Sequence, residues 1–269
     1  MMDKFYNFNF NNNTNVDLYL YGSIVSEKWE ESDVTFQDFK DKLDQVADNG
    51  ILNIYQNSGG GDCFVASSMC SLIKRVQNRG VKVVATIDSL SASASSWISC
   101  VADELRVYDH SIMMLHKPLA FMMSVCNADD LNKQIEVLDK LQSDVMLPIY
   151  MSKAKEGVTE DMITDLINKE SWLGADEIEE YFNVVRLEGE TKMVASIDKN
   201  LLNSYKNAPK EVLEAIEEDE ELKEEQENVE EETEKGLEEE PNKDSETTEE
   251  EKKKLENKIK LLDLELALI

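Results

Sequence analysis

Histidine is scarce in this chain: only His110 and His116 occur in 269 residues. Cysteine is nearly as rare, with Cys63, Cys70, Cys100 and Cys126 and no Cys-x-x-Cys pair. So few imidazoles and scattered thiols cannot supply a ligand set at zinc-finger spacing, so no metal site and no cofactor is expected. The cysteines read as reduced, packed thiols of a cytosol-like compartment, and a cytoplasmic location is expected. The opening "MMDKFYNFNFNNNTN" is polar and Asn-rich, unlike the basic-then-apolar start of a signal peptide. No stretch approaches the roughly 18–20 apolar residues of a membrane span. Positive charge is also in short supply. Lys and Arg number 28 against 57 Asp and Glu, a net charge of −29, which argues against nucleic acid and anionic membranes as partners. No internal repeat and no nucleotide-binding motif is visible.

What is present is a compact first part and a very different second part. "DLYLYGSI" (17–24) alternates like a strand and stops at a glycine. In "TFQDFKDKLDQVADNG" (35–50), Phe36, Phe39, Leu43 and Val46 recur at helical spacing before an Asn-Gly stop. "ILNIYQN" (51–57) predicts a strand, "CFVASSMCSLIKRVQNRG" (63–80) a helix and "VKVVATI" (81–87) another strand. The serine run after it predicts a helix reaching about Leu105, followed by short strands in "LRVYD" and "SIMMLH". Strands alternating with helical patterns indicate βαβ units and a parallel sheet. A long helix is expected over 127–157, running past Pro148, and a shorter one over 159–170 capped by Thr159. "ADEIEEYFNVV" (175–185) completes the compact part.

The second part is dominated by charge. Residues 211–250 hold 21 acidic and 3 basic side chains, the signature of a solvated segment rather than a core. In "KKKLENKIKLLDLELALI", Leu255, Ile259, Leu262, Leu266 and Ile269 follow 4-3-4-3 spacing, an apolar seam suited to a partner helix. The expected organisation is a flexible lead at 1–16, a compact domain at 17–190, an acidic linker at 191–250 and an amphipathic helix at 251–269.

Three stretches carry chemistry. "NSGGGD" (57–62) ends a strand and precedes a helix, and its glycines leave backbone N–H groups unobstructed for an anion or oxyanion. A tight strand–helix turn explains the same residues. "TIDSLSASASSWISC" (86–100) places several hydroxyls at a strand-to-helix junction. A serine there can act as nucleophile with the next N–H stabilising an oxyanion, but taken alone such a run is better explained by helix capping and close packing. It is not a Gly-x-Ser-x-Gly elbow. His116, in "MMLHKP" at the end of an apolar strand, is a better base candidate than His110, whose "YDHS" context reads as a turn.

In this order the three stretches resemble the Clp protease proteolytic subunit family, over about residues 17–187. "YQNSGGGDCFVASSMCSLI" is similar to its Ile-Asn-Ser-Pro-Gly-Gly stretch and following helix, with Gly59 in place of Pro. "IDSLSASASSWI" resembles its Gly-x-Ala-Ala-Ser-x-Ala segment, and "MMLHKPL" its Met-Ile-His-Gln-Pro segment. The resemblance implies an α/β fold, a Clp/crotonase-like superhelix of ββα units with a long handle helix at 127–157. It also implies a serine endopeptidase, with Ser93 as nucleophile, His116 as base, and the N–H groups of Gly61 and Ala94 as oxyanion donors. The family's acid aligns with Glu170 in "ESWLGADEIEE", a Glu where the family has Asp, and Asp165 is the fallback. Ring-type homo-oligomers, protein or peptide substrates and a separate ATPase are further implications.

The acidic tail, the Glu and the Gly-rich turn look like Clp-related head-maturation proteases of phages and prophages. That reading expects capsid or scaffold partners, engaged through the C-terminal helix, and a location within proheads in the host cytoplasm. A cellular ATP-dependent Clp-type subunit, an inactive assembly protein and a crotonase-type acyl-CoA enzyme are the alternatives.

Overall fold

The computed structural model describes residues 10–11, 14–29, 31–120, 122, 124–188, 205–210 and 212. The chain divides into two units, the first comprising residues 1–190 and 196–209, the second 191–195 and 210–269. The acidic linker expected over 191–250, residues 205–210 and 212 apart, and the terminal helix expected over 251–269 fall outside the described residues.

The first unit is mixed α/β, and its main sheet is mostly parallel. The short β1 (Phe10–Asn11) pairs antiparallel with β2 (Asn15–Tyr21), whose inward positions alternate with half-buried ones. Two-residue strands β3 (Ile24–Val25) and β4 (Val34–Thr35) form a separate pair. Helix α1 (Phe36–Leu43) starts on a capping box in which Thr35 and Asp38 satisfy each other's backbone N–H groups. Strand β5 (Ile51–Ser58) leads through the glycine turn to α2 (Cys63–Gln77), capped by the Asp62 carboxylate on the N–H groups of Phe64 and Val65.

The long β6 (Lys82–Ala92) is buried along nearly its whole length. It runs into α3 (Ala94–Val101), then β7 (Glu104–Val107) and β8 (Ile112–Leu115). The serine run is therefore half strand, and its helix ends at Val101, short of the expected Leu105. Ser89 and Ser91 lie within β6, and Ser93 is the corner between strand and helix. Strand β6 is long because it serves two neighbours: Val84 to Ile87 pair with β7, and Leu90 to Ala92 pair with β8. Between these stretches β6 spends four residues, Ile87 to Ser91, where β5 spends two, Gln56 to Ser58. This bulge re-aims the end of the strand.

Asn127 caps α4 (Ala128–Lys140), which continues through a π-helical stretch (Leu141–Met146) into α5 (Leu147–Lys153). The sequence expectation of a helix passing Pro148 is met, and the wide turns before it are the means. A proline removes one N–H and crowds the carbonyl four residues back, and i→i+5 bonding relieves both. Thr159 caps α6 (Glu160–Lys169), followed by β9 (Ser171–Leu173), α7 (Ala175–Tyr181) and β10 (Val185–Arg186). The main sheet runs β1-β2-β5-β6-β7-β10, with β8 on the far end of β6 and β9 antiparallel to β8. Leu20, Ile54, Ile73, Ile87, Ile98, Tyr150, Ile163 and Phe182 are among the fully buried residues between sheet and helices.

All four cysteines are free. Among the described residues no helix is long and apolar enough to cross a membrane, and no cluster of His, Cys, Asp and Glu could hold a metal.

Candidate active site

Sheet register explains why three distant stretches converge. Ala92 is paired with Met114 across β6 and β8, so two steps on, at the strands' ends, His116 comes level with Ala94 and beside Ser93. Leu115 is paired with Ser171 across β8 and β9, so one further step sets Glu170 opposite His116. The Ser93 N–H donates to the Met114 carbonyl at 2.9 Å, locking the corner to β8.

Ser93 is held at φ 53°, ψ −126°, a conformation costly for any residue with a Cβ. Its side chain is half-buried, and its Oγ lies 2.6 Å from His116 Nε2. The neighbouring hydroxyls are spent elsewhere. Ser91 Oγ and Ser99 Oγ are 2.8 Å apart, Ser99 donates to Gln56 Oε1, and Gln56 Nε2 donates to the Ser95 carbonyl and hydroxyl. Ser96 donates to the Ser93 carbonyl at 2.6 Å and is joined to Tyr150 Oη at 2.7 Å. Of the candidates in the run, Ser93 alone offers its hydroxyl to a base.

His116 is 7% exposed, and burial pushes its pKa down to about 4 against the opposing attraction of Glu170. Its ring is therefore neutral near pH 7 and can accept a proton. For Ser93 to donate to Nε2, the ring proton must sit on Nδ1.

The glycine turn packs directly on this corner. Gly60 stands at φ 95°, and a Cβ there would come within 2.6 Å of the Ala92 carbonyl oxygen, 2.8 Å of Ser93 Cβ and 2.9 Å of Ala94 N. Gly61, at φ 140°, bridges Ile24 in parallel fashion. The Ile24 N–H donates to the Gly60 carbonyl and the Asp62 N–H to the Ile24 carbonyl, so the Gly61 N–H points to the opposite side. Ala94 is the first residue of α3, where an N–H has no intrahelical acceptor. An open groove of about 280 Å³ runs alongside, lined by residues 23–27, Trp29, Gly61 and Asp62.

Glu170 ends α6 in the left-handed conformation, φ 52°, with a half-buried side chain. No hydrogen bond joins it to His116. Its Oε1 instead accepts the N–H groups of Lys206 at 2.6 Å and Asn207 at 2.7 Å. Asp165 is exposed on α6 and paired with Lys169 at 3.5 Å. His110 contacts the Asp88 carbonyl at 2.6 Å, on the other side of the β6 bulge.

Two contributors escape sequence reasoning. Tyr205 is 7% exposed, with its ring edge-on to His116 at 5.0 Å and to Trp172 at 5.8 Å, and its hydroxyl donates to the Gly59 carbonyl at 2.7 Å. A single tyrosine in "LLNSYKNAPK" carries no periodic or spacing signal that could have singled it out. Trp172 lies close after Glu170 in the chain but has no polar motif to mark it.

A family model described as Clp protease matches residues 41–185, the stretch that contains the glycine turn, Ser93, His116 and Glu170. No curated protein matches the chain.

Proposed function

Because the chain belongs to the Clp protease family, whose members are serine-type peptidases, we propose that it hydrolyses peptide bonds through Ser93, His116 and Glu170. The observation that carries this reading is the 2.6 Å contact between a strained corner serine and a buried, neutral histidine.

Ser93 Oγ attacks the peptide carbonyl carbon while its proton passes to His116 Nε2. The oxyanion so formed is held by the N–H groups of Gly61 and Ala94, donors of a kind worth about 10²–10³ in kcat each. The C–N bond breaks as Nε2 returns its proton to the leaving amine, leaving an acyl-Ser93 ester. Water, deprotonated by His116, attacks that ester and frees Ser93. Glu170, opposite His116 in the sheet register, steadies the imidazolium that forms twice in the cycle.

The finer reading is a head-maturation protease of phage or prophage type, acting on capsid or scaffold proteins inside a homo-oligomeric chamber built on the ββα superhelix. Its support is the acidic 211–250 stretch, the apolar seam from Leu255 to Ile269, and a handle helix whose first part, α4, buries none of its residues: Leu131, Ile135 and Val137 are 46–54% exposed. A separate ATPase remains compatible with this reading. Co-expression with a phage capsid or scaffold protein tests it. The wild type trims that protein and Ser93→Ala leaves it intact; identical patterns from both chains would remove the maturation role.

A further inference from the structure

The peptidase site is already occupied, by the chain itself. Tyr205, Lys206 and Asn207 lie across it, although they are far from the serine corner in sequence. Their contacts reach His116, Glu170 and the glycine turn. The Tyr205 ring closes over the His116 imidazole and Trp172. Its hydroxyl donates to the Gly59 carbonyl at 2.7 Å, in the glycine turn that would cradle an oxyanion. The Lys206 and Asn207 N–H groups both take the Glu170 carboxylate, and Asn207 Nδ2 donates to the Lys169 carbonyl at 3.1 Å.

We propose that residues 205–207 are a resident plug, an intramolecular ligand that keeps the site closed until a peptide or a binding partner displaces it. This rests on the peptidase reading. The plug works in two ways. It fills the space over Ser93 and His116 that a scissile peptide must enter. It also diverts the Glu170 carboxylate onto two backbone amides, so the imidazole lacks the acceptor that would orient its Nδ1–H. Both effects end together when the segment leaves, because one short stretch makes all these contacts. Tyrosine suits the role because its ring buries apolar area against two aromatic neighbours while its hydroxyl satisfies a buried carbonyl. The group packed edge-on to His116 is a phenol ring, which offers no carbonyl to attack. The ligand chemistry the cleft accepts is thus an aromatic side chain followed by free backbone amides.

The test uses the full-length chain as wild type, Tyr205→Phe and Tyr205→Ala, with two readouts. One is the rate at which a fluorophosphonate modifies Ser93, followed by mass. The other is hydrogen exchange at the amides of Lys206 and Asn207, which does not depend on chemistry at Ser93. A plug that leaves the site open about one tenth of the time slows modification about tenfold. Tyr205→Ala then labels about tenfold faster than wild type, Tyr205→Phe falls between, and the two amides lose protection in Tyr205→Ala. Equal labelling rates, or unprotected amides in the wild type, would overturn the plug. Ser93-dependent cleavage between residues 204 and 210 would also overturn it, by making the segment a substrate. If Ser93 is modified in none of the three chains while the amides stay protected, the peptidase assignment fails, and the plug as an inhibitor fails with it.

Discussion

His116 gives up its proton near pH 4 because its ring is shut away from water, a penalty larger than the help Glu170 offers the charged form. In the unfolded chain the same ring protonates near its ordinary 6.5. Between those values the unfolded state binds the extra proton, so this group's contribution to stability falls as pH drops from 6.5 to 4 and is flat below. The total is about 3 kcal/mol. Asp88 runs the other way. Burial raises its carboxyl to about 6 despite the hydrogen bond from Tyr21, so the folded state binds that proton first and gains stability as pH falls from 6 to 4. The two contributions oppose each other in the wild type, so a bare pH scan isolates neither. Urea titrations of wild type and His116→Gln at each pH isolate the histidine: their difference in stability shrinks, in the wild type's disfavour, by up to about 3 kcal/mol between pH 6.5 and 4. A constant difference would mean that the ring is solvated. Ser93 illustrates what was readable at this scale. From the run alone Ser91, Ser93, Ser95 and Ser96 are equivalent hydroxyls, and only resemblance to a family singled out one. The structure separates them physically, through partners such as Gln56 and Tyr150 that lie far away in the chain. Glu170 was readable as a position, but its occupancy by Lys206 and Asn207 was not, since nothing in a polar stretch announces where its amides will go.

Helix α3 is short and carries four serines and cysteines among eight residues, so its place depends on what it docks against rather than on propensity. Tyr150 of α5 supplies that anchor, fully buried, with its hydroxyl accepting from Trp97 Nε1 at 3.1 Å and joined to Ser96 Oγ. Tyr150→Phe leaves the indole N–H without an acceptor while Ser96 keeps the Ser93 carbonyl. The expected cost is about 1–3 kcal/mol, read as a lower urea midpoint at unchanged slope. No change in the midpoint would show that the network carries no net stability. Most elements were legible because burial and period agree: β2, β5, α2 and α6 stand where alternation, spacing and caps put them, while α1 stops at Leu43, short of Val46 and the Asn-Gly pair. The serine run was not, because serine's poor fit to both helix and strand gives no period. Its strand half exists because β6 must span two partners, a property of the whole sheet.

Across the whole molecule the charge is concentrated: 211–250 carries a net −18 of the chain's −29. The remainder is acidic enough to repel its copies weakly, so the proposed assembly needs apolar contact, and α4 offers it at Leu131 and Ile135. Leu131→Asp with Ile135→Asp places two charges on that face without touching the core. Sedimentation at moderate salt should show the wild type as an oligomer and the double variant as smaller species; equal masses would remove α4 from the interface. The mostly parallel sheet was legible from alternating strand and helix patterns. The burial of Tyr205 against the site was not, because it joins parts of the chain with no local relation.

If Ser93 is an activated nucleophile, a fluorophosphonate modifies it in preference to every other serine of the chain. The full-length chain is incubated with a fluorophosphonate, digested, and the adduct mapped by mass. A single adduct on Ser93, absent from Ser93→Ala and much slower to form in His116→Ala, is the predicted result. No adduct after removal of the Tyr205 ring, or an adduct on a serine other than Ser93, would show that Ser93 is not the nucleophile.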